Sequence, residues 1–171
     1  MPPPLVLLCG PAFSGKSTLA AHLSRRWGFR VVSLDEINAR RGLHGGQGIP
    51  DAEWGRTVGV ARDEVRTLLS VPGARVVVDD TLCFRFLRAD FARVAAAAGR
   101  DSVLLVLGAS LEEIRRRIAE NARHPVRGSV APHVLERHLA AFEWPGEDEP
   151  HRVFHDPAGL DAWLAEEVVR W

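Results

Sequence analysis

The sequence contains little cysteine and no excess of charge of either sign. Its only cysteines, Cys9 and Cys83, form neither a CxxC pair nor another metal-binding spacing. We therefore expect both to be reduced, buried thiols of a cytoplasmic protein. Lysine plus arginine number 22, and aspartate plus glutamate also number 22, so the formal net charge is zero. This balance argues against a surface that holds a long nucleic acid by its phosphates, although it allows a local basic patch.

Long apolar runs, internal repeats and low-complexity tracts are also absent. The chain begins Met-Pro-Pro-Pro and continues with only about five apolar residues, without a basic segment before them. This pattern predicts neither a signal peptide nor a membrane span. A length of 171 residues predicts one domain, residues 1–171, so every ligand site is expected to lie on it.

A phosphate-binding motif is present near the amino end. Residues 10–17 read GPAFSGKS and match G-x-x-x-x-G-K-[ST] at every position. In such a loop the backbone N–H groups surround the phosphates, the lysine contacts the β- and γ-phosphates, and the final hydroxyl ligates Mg²⁺. The sequence therefore predicts a nucleotide triphosphate site formed by Gly10, Ala12, Phe13, Ser14, Gly15, Lys16, Ser17 and Thr18.

Apolar runs alternate with helical patterns along the chain. The runs at 5–9, 30–34, 75–78, 102–107 and 152–154 predict about five strands, all of them buried. Helical patterns follow the glycine loop and begin again at about residues 51, 85, 110 and 156. Strands separated by helices predict an α/β fold, with a five-stranded parallel sheet flanked by helices. Ligands of such sheets bind at the carboxyl ends of the strands.

Three aspartates follow two of these predicted strands. Asp35 comes after the second run, and Asp79 and Asp80 end the third. An apolar strand that ends in aspartate beside a phosphate loop is typical of a Walker B site, where the carboxylate holds Mg²⁺ directly or through water. We therefore expect Ser17, Asp79 and Asp80 to be the metal-binding residues. A helix-capping role is the alternative for each aspartate.

Together these motifs resemble the small P-loop kinases that include polynucleotide 5′-hydroxyl kinases, chloramphenicol phosphotransferases, zeta-type toxins and gluconate kinase. The resemblance covers most of the chain and also rests on VAPHVLER at 130–137 and FEWP at 142–145. It implies a single-domain P-loop NTPase similar to the nucleoside monophosphate kinases, with a small helical lid at approximately 115–131. It also implies ATP as the phosphate donor, with GTP not excluded, and Mg²⁺ as cofactor.

The resemblance further implies roles for individual residues. In these kinases the aspartate after the second strand accepts the proton of the acceptor hydroxyl, which carries over here to Asp35. Their lid arginine stabilises the transferring phosphoryl group, and both Arg123 and Arg127 fit that description. Together with Lys16 these form the expected catalytic set. Polynucleotide kinases also carry arginine three residues after that aspartate, where this chain has Asn38.

Several alternatives remain open on the sequence. The arginines at 115–117 can be the solvated face of a helix, and the glycine-rich segment 40–48 can be a loop over the acceptor or a plain surface loop. We expect a kinase for a hydroxyl of a small molecule, such as a sugar, a nucleoside-like compound or an antibiotic. A polynucleotide 5′-hydroxyl kinase and a nucleotide-switched binding protein that phosphorylates no acceptor are the alternatives. The sequence leaves the oligomeric state open.

Overall fold

The computed structural model describes residues 3–43, 48–126, 128, 130–155, 159, 161–163 and 165–166. All five predicted strands form and join one sheet, in which every pairing is parallel. The strands are β1 (Leu5–Cys9), β2 (Arg30–Ser33), β3 (Val76–Asp79), β4 (Ser102–Leu107) and β5 (Arg152–Phe154). Their order across the sheet is β2-β3-β1-β4-β5. The α/β fold and the parallel sheet predicted from the alternating pattern are therefore confirmed.

Helices connect the strands. They are α1 (Lys16–Trp27), α2 (Leu34–Arg40), α3 (Asp51–Leu69), α4 (Arg85–Ala97), α5 (Leu111–Arg123) and α6 (Pro132–Ala140). The predicted carboxyl-terminal helix has helical residues at 161–163 and 165–166. Its predicted start at 156–157 and the apolar positions 160, 164 and 168 lie outside the described residues. None of the described helices combines the length and the apolarity that crossing a membrane requires.

The central strand β1 is buried on both faces of the sheet. Leu5 and Leu7 pack with residues of α3 and α4, whereas Val6 and Leu8 pack with residues of α1. Double burial explains why this strand is an uninterrupted apolar run rather than an alternating one. Replacing a fully buried leucine such as Leu5 by alanine is expected to cost about 2–5 kcal/mol of stability.

The edge strand β5 corrects one prediction. Its residues Arg152 and Val153 are exposed, and only Phe154 is partly buried. The prediction of a buried strand is wrong here because β5 is last in the strand order and has a neighbour, β4, on one side. A segment as short as RVF does not indicate whether its strand lies at the centre or at the edge of the sheet.

Helix α2, which the sequence pattern did not predict, begins directly after β2. The Ser33 side chain caps it by accepting a hydrogen bond from the backbone N–H of Glu36 at 3.3 Å. Asp35 therefore lies in the first turn of α2 rather than at the end of a strand. Its negative charge complements the helix dipole at that position. Because Ser33 pairs with Asp79 in the parallel register, the carboxyl ends of β2 and β3 meet at one edge of the sheet.

The helical region α5–α6 rests on the glycine loop. At the start of α5 the Ser110 hydroxyl accepts a hydrogen bond from the N–H of Glu113 at 3.1 Å and so caps the helix near its predicted start. Phe13 of the loop packs with Ile114 of α5 and Leu135 of α6 in a small separate core. An apolar contact thus joins α5 and α6 to the loop itself.

Candidate functional site

The glycine loop has the backbone conformation that a phosphate cradle requires. Gly15 is in the left-handed region, with φ 106°, and is the residue that precedes α1. A side chain there would be strained, and its Cβ would lie 3.3 Å from Nη1 of Arg117. Phe13 also has a positive φ, 63°, although it is not glycine. Its buried ring packs in the α5–α6 core, and this packing offsets the backbone strain.

Lys16 and Ser14 turn polar groups toward the inside of this loop. Lys16 is the only lysine in the chain, is 8% exposed, and donates from Nζ to the carbonyl oxygen of Pro11 at 2.8 Å. The Ser14 hydroxyl is buried and has no hydrogen-bond partner among the described residues. A buried hydroxyl without a partner is costly, so this group suits a phosphate oxygen.

The amino end of α1 offers a further anion site beside the loop. Its first turn contains no acidic residue, so the positive end of the helix dipole is not neutralised from within the helix. Ser17 and Thr18 lie in that turn, and both are exposed. The structure thus gathers the predicted nucleotide-binding residues around one concave stretch of backbone.

Asp79 and Asp80 lie at the end of β3, and the charges of Lys16 and Asp35 both act on the Asp80 carboxyl. Burial raises the pKa of Asp80, whereas the N–H of Leu82 and the ammonium of Lys16 oppose that rise and the charge of Asp35 adds to it. Asp79 is partly buried at the same strand end. Two carboxylates and the Ser17 hydroxyl are the hard oxygen donors that Mg²⁺ prefers together with phosphate oxygens and water. A cation beside Asp80 would favour its ionised form, so this donor set fits Mg²⁺.

Arg117 is the arginine of α5 that reaches the loop. Its Nη1 donates to the carbonyl oxygen of Phe13 at 3.0 Å, and its Nε donates to Glu113 at 2.8 Å. Its side chain is 34% exposed, so the solvated-face interpretation is wrong for this residue. Arg116 does face solvent and pairs with Glu113 and Glu120. The spacing contained a signal, because Arg117 lies three residues after the buried Ile114 and shares its helix face.

The structure says less about the two predicted lid arginines, Arg123 and Arg127. Arg123 is the last residue of α5 and is exposed. Arg127 lies outside the described residues. Within the part of the chain that the structure describes, the arginine that contacts the loop is therefore Arg117.

A cavity of about 610 Å³ opens between the loop and α5. This volume lies in the range of small-molecule sites. Arg123 does not line the cavity. The residues that define its two walls are Phe13, Gly15 and Thr18 on the loop side and Arg117, Asn121 and His124 on the α5 side.

Helices α2 and α3 pack together and form a surface that we call the α2–α3 surface. Arg41 donates there to the carbonyl oxygen of Glu53 at 2.8 Å and to the hydroxyl of Thr57 at 2.6 Å, and it also pairs with the Glu53 carboxylate. The Thr57 hydroxyl in turn donates to Oδ1 of the buried Asn38. Arg41 is therefore held within the protein and fixes the residue three positions after Asp35.

Two further arginines of this surface are also paired with carboxylates. Arg40 contacts Glu64, and Arg56 contacts Glu53. Residues 44–47 of the predicted glycine-rich loop lie outside the described residues.

Helix α6 packs against the glycine loop through Leu135 and Phe13. His138 lies edge-to-face with Phe142, with ring centroids 5.7 Å apart. Burial and the nearby Lys16 ammonium lower the pKa of His138, so this side chain is held neutral near the loop. Trp144 packs against Phe142, with ring centroids 4.3 Å apart, and is half exposed.

Comparison with known proteins agrees with this geometry. The AAA_33 family model, described as an AAA domain, matches residues 5–145. The chain belongs to this family. The matched range begins with β1 and ends at the proline of FEWP, so it includes the glycine loop, the three aspartates and the α5–α6 region.

The curated proteins to which this AAA_33 chain is similar are tRNA dimethylallyltransferases. A tRNA dimethylallyltransferase from Thiobacillus denitrificans is 29% identical over 143 residues, which cover 84% of this chain and 43% of that protein. One from Anaeromyxobacter dehalogenans is 31% identical over 151 residues, which cover 78% of this chain and 48% of that protein. The chain thus spans about half the length of the curated relatives it matches.

Solved structures establish the fold of this AAA_33 chain along nearly its whole length. Kti12 from Chaetomium thermophilum, in complex with ADP-AlF3, has a TM-score of 0.73 at 17% identity, covering 95% of this chain and 96% of that one. A gluconokinase from Sinorhizobium meliloti has a TM-score of 0.69 at 15% identity, covering 98% and 97%. The APS kinase of Mycobacterium tuberculosis, in complex with AMPPNP and APS, has a TM-score of 0.65 at 20% identity, covering 98% and 96%. The fold is therefore that of the small P-loop kinases, as the sequence motifs predicted.

Proposed function

We propose that this AAA_33 protein is an ATP-dependent kinase that transfers the γ-phosphate to a hydroxyl of a small molecule. The observation that carries the proposal is that the carboxyl ends of β2 and β3, which precede Asp35 and Asp80, meet at one edge of the sheet, and that Gly10 of the glycine loop is hydrogen-bonded to Thr81 there. Phosphoryl transfer needs positive charge around the γ-phosphate and a group that orients the attacking hydroxyl. The first requirement fits Lys16, and the second fits Asp35.

The proposed reaction moves one phosphoryl group and one proton. The acceptor oxygen forms a bond to the γ-phosphorus, the bond to the bridging oxygen breaks, and ADP leaves with the electron pair. Asp35 accepts the proton of the hydroxyl, while Lys16 and the loop N–H groups bind the phosphate oxygens. Ser17 with Asp79 or Asp80 would hold Mg²⁺, which supplies further charge neutralisation when bound.

The arginines of the proposed lid, approximately residues 115–131 of one kinase domain, complete the set. We assign Arg117 to the bound nucleotide, because it already contacts the loop. Arg123 and Arg127 remain the proposed partners of the transferring phosphoryl group. Closure of such a lid would exclude water and so favour transfer to the acceptor over hydrolysis.

The α2–α3 surface supports a small acceptor over a polynucleotide. Arg40 pairs with Glu64, and Arg41 and Arg56 share Glu53, so two carboxylates offset most of the charge of these three cations. Binding of a polynucleotide needs cations that are free to replace counterions along its phosphates. The formal net charge of zero points in the same direction.

The name of the curated relatives makes transfer of a dimethylallyl group to tRNA a second candidate. Its support is 29–31% identity over most of this chain. A phosphate loop binds a diphosphate as readily as a triphosphate, so the motif alone does not separate the two activities. The paired arginines of the α2–α3 surface favour the kinase.

The deciding experiment is a transfer screen with γ-labelled ATP. The acceptors are sugars, nucleosides, aminoglycosides, chloramphenicol and a 5′-hydroxyl oligonucleotide, and a parallel reaction offers tRNA with labelled dimethylallyl diphosphate. We expect label on a small hydroxyl compound and almost none after Lys16→Ala. Label on the oligonucleotide or on tRNA would replace the proposal by the corresponding alternative. ATP hydrolysis without transfer to any acceptor would favour a nucleotide-switched binding protein.

A further inference from the structure

A strained turn follows the metal-binding candidate Asp80. Leu82 is fully buried and has a φ of +43°, a conformation that costs a leucine free energy. Its backbone N–H donates to Oδ2 of Asp80 at 3.0 Å. Such strain persists only where the surroundings over-determine the conformation, so the contacts of this turn require an explanation.

The carbonyl oxygen of Leu82 is held by Arg88. The Nη1 group of Arg88 donates to that oxygen at 2.8 Å, and the thiol of Cys9 lies 3.6 Å from the same oxygen. Arg88 is a residue of α4 and is only 2% exposed. The buried guanidinium of Arg88 thus binds the carbonyl group of Leu82, the residue whose N–H group binds Asp80.

Glu149 holds Arg88 in turn. Its two carboxylate oxygens accept from Nε and Nη2 of Arg88 at 2.6 and 2.8 Å, which is a bidentate pair. A buried ion pair is a weak source of stability, because desolvation offsets most of the attraction. Its geometry, however, is fixed by two parallel hydrogen bonds, and that suits an orienting role.

The same turn is also attached to the glycine loop. The carbonyl oxygen of Thr81 accepts a hydrogen bond from the N–H of Gly10 at 3.1 Å. The hydrogen bonds therefore run from Glu149 through Arg88 and Leu82 to Asp80, and Thr81 sets their distance from the phosphate loop. Displacing Arg88 would release the turn that presents the carboxylate.

We infer that Arg88 and Glu149 are positioning residues that hold the Asp80 carboxylate for metal-dependent nucleotide binding, although neither contacts the nucleotide or the metal. The inference rests on the proposed function, because it takes Asp80 as a metal-binding residue. Residues that orient a metal-binding carboxylate affect metal affinity by about 10- to 100-fold when they are changed.

The test compares nucleotide affinity with and without the metal. Calorimetry measures the affinity of the full chain for a non-hydrolysable ATP analogue, in Mg²⁺ and in EDTA, for the parent, Arg88→Lys and Glu149→Gln. Both variants are expected to lose about tenfold in affinity in Mg²⁺ and to match the parent in EDTA. The matched control is Arg62→Lys, which alters an ion pair between α3 and α4, with 2.8 Å from Nη1 of Arg62 to Asp90, and should change neither value.

Other outcomes overturn the inference in distinguishable ways. An equal loss in Mg²⁺ and EDTA would mean that Arg88 and Glu149 support the loop generally, and no loss would mean that they position nothing. Asp80→Asn distinguishes the metal assignment from the positioning role. If this variant loses the effect of Mg²⁺ on nucleotide affinity, whereas Arg88→Lys and Glu149→Gln keep it, only the positioning role is wrong. If the parent shows no Mg²⁺ effect, both the metal assignment of the proposed function and the positioning role are wrong.

A second variant covers the case in which the single changes unfold the protein. The double variant Arg88→Met/Glu149→Leu replaces the buried pair by apolar side chains of similar size, which proteins tolerate better than half a pair. We expect it to unfold within a few degrees of the parent and still to lose the Mg²⁺ effect. Retention of the full Mg²⁺ effect in this folded variant would overturn the inference.

Discussion

The glycine loop and the α2–α3 surface differ in how their polar and charged groups are paired. Around the loop, the hydroxyl of Ser14 has no partner among the described residues and the first turn of α1 contains no acid. On the α2–α3 surface, by contrast, Arg40 and Arg41 are already paired with glutamates. The difference leads us to expect phosphate recognition at the loop and, under the proposed function, an acceptor without phosphates beside the α2–α3 surface.

The most severe way to break this contrast is to remove the cation of the loop. Lys16→Ala should nearly abolish transfer, because a charge-assisted contact to the transferring phosphate contributes on the order of 3 kcal/mol or more to transition-state stabilisation. The melting temperature should hold, since the side chain contacts the loop rather than the main apolar clusters. Labelled-phosphate transfer and thermal unfolding measure the two effects. An active variant would contradict the nucleotide site.

Asp35 tests the side of the site where the acceptor is expected. Asp35→Asn keeps the shape of the side chain and removes its charge, so transfer should fall by about a hundredfold while the ATP analogue still binds. Calorimetry follows binding, and the labelled-phosphate assay follows transfer. Loss of nucleotide binding together with activity would identify Asp35 as a metal or structural residue. Unchanged transfer would show that no base acts there.

The lid arginines are expected to act on the rate rather than on affinity. Arg123→Ala and Arg127→Ala should lower kcat with little change in the KM for ATP, and one of them should matter far more than the other. The reason is that their contact strengthens only as charge develops on the transferring group. Small, equal effects of both on KM would instead indicate a solvated flap.

Arg117 sharpens the contrast between a loop contact and a surface contact on a single helix. Arg117→Ala should weaken binding of the ATP analogue by about tenfold, because a hydrogen bond from a charged group to the loop is lost. Arg116→Ala is the matched control, since Arg116 also binds Glu113 but faces solvent. Equal affinities of the two variants, measured by calorimetry, would contradict the assignment of Arg117 to the nucleotide.

The smallest expected effect concerns His138 and pH. Because its pKa in the folded protein is lowered, the unfolded chain binds more protons below the ordinary value of 6.5. Stability should therefore be complete above pH 6.5 and fall as the pH drops from 6.5 toward the lower folded value. His138→Leu should flatten this part of the stability curve in denaturant titrations, whereas His133→Leu, at an exposed position of the same helix, should leave it unchanged.

The sequence was sufficient for the fold because its strongest signals are local. The strand, loop and helix of the phosphate site, and the five apolar runs, follow from spacing alone. The burial of β5 was not predictable, since it depends on which strand lies at the edge of the sheet.

Tertiary contacts account for what the sequence missed at the site. The start of α2 depends on the Ser33 cap, which brings Asp35 into a helix, and the contact of Arg117 depends on how α5 packs on Phe13. The positioning pair Arg88 and Glu149 lies 61 residues apart in sequence, so no spacing could have revealed it. Arg127 remains a prediction.

Because Lys16 is the single lysine of the chain, digestion after lysine can report on the phosphate loop. A protease that cuts only after lysine has one peptide bond to attack, between Lys16 and Ser17, at the start of α1. That bond lies where the side chain is almost fully buried, so cleavage requires the loop to open locally. The ratio of two fragments to intact chain would therefore report how often the phosphate loop becomes accessible, by local opening or by unfolding of the whole domain, and a nucleotide that binds the loop would slow the cut.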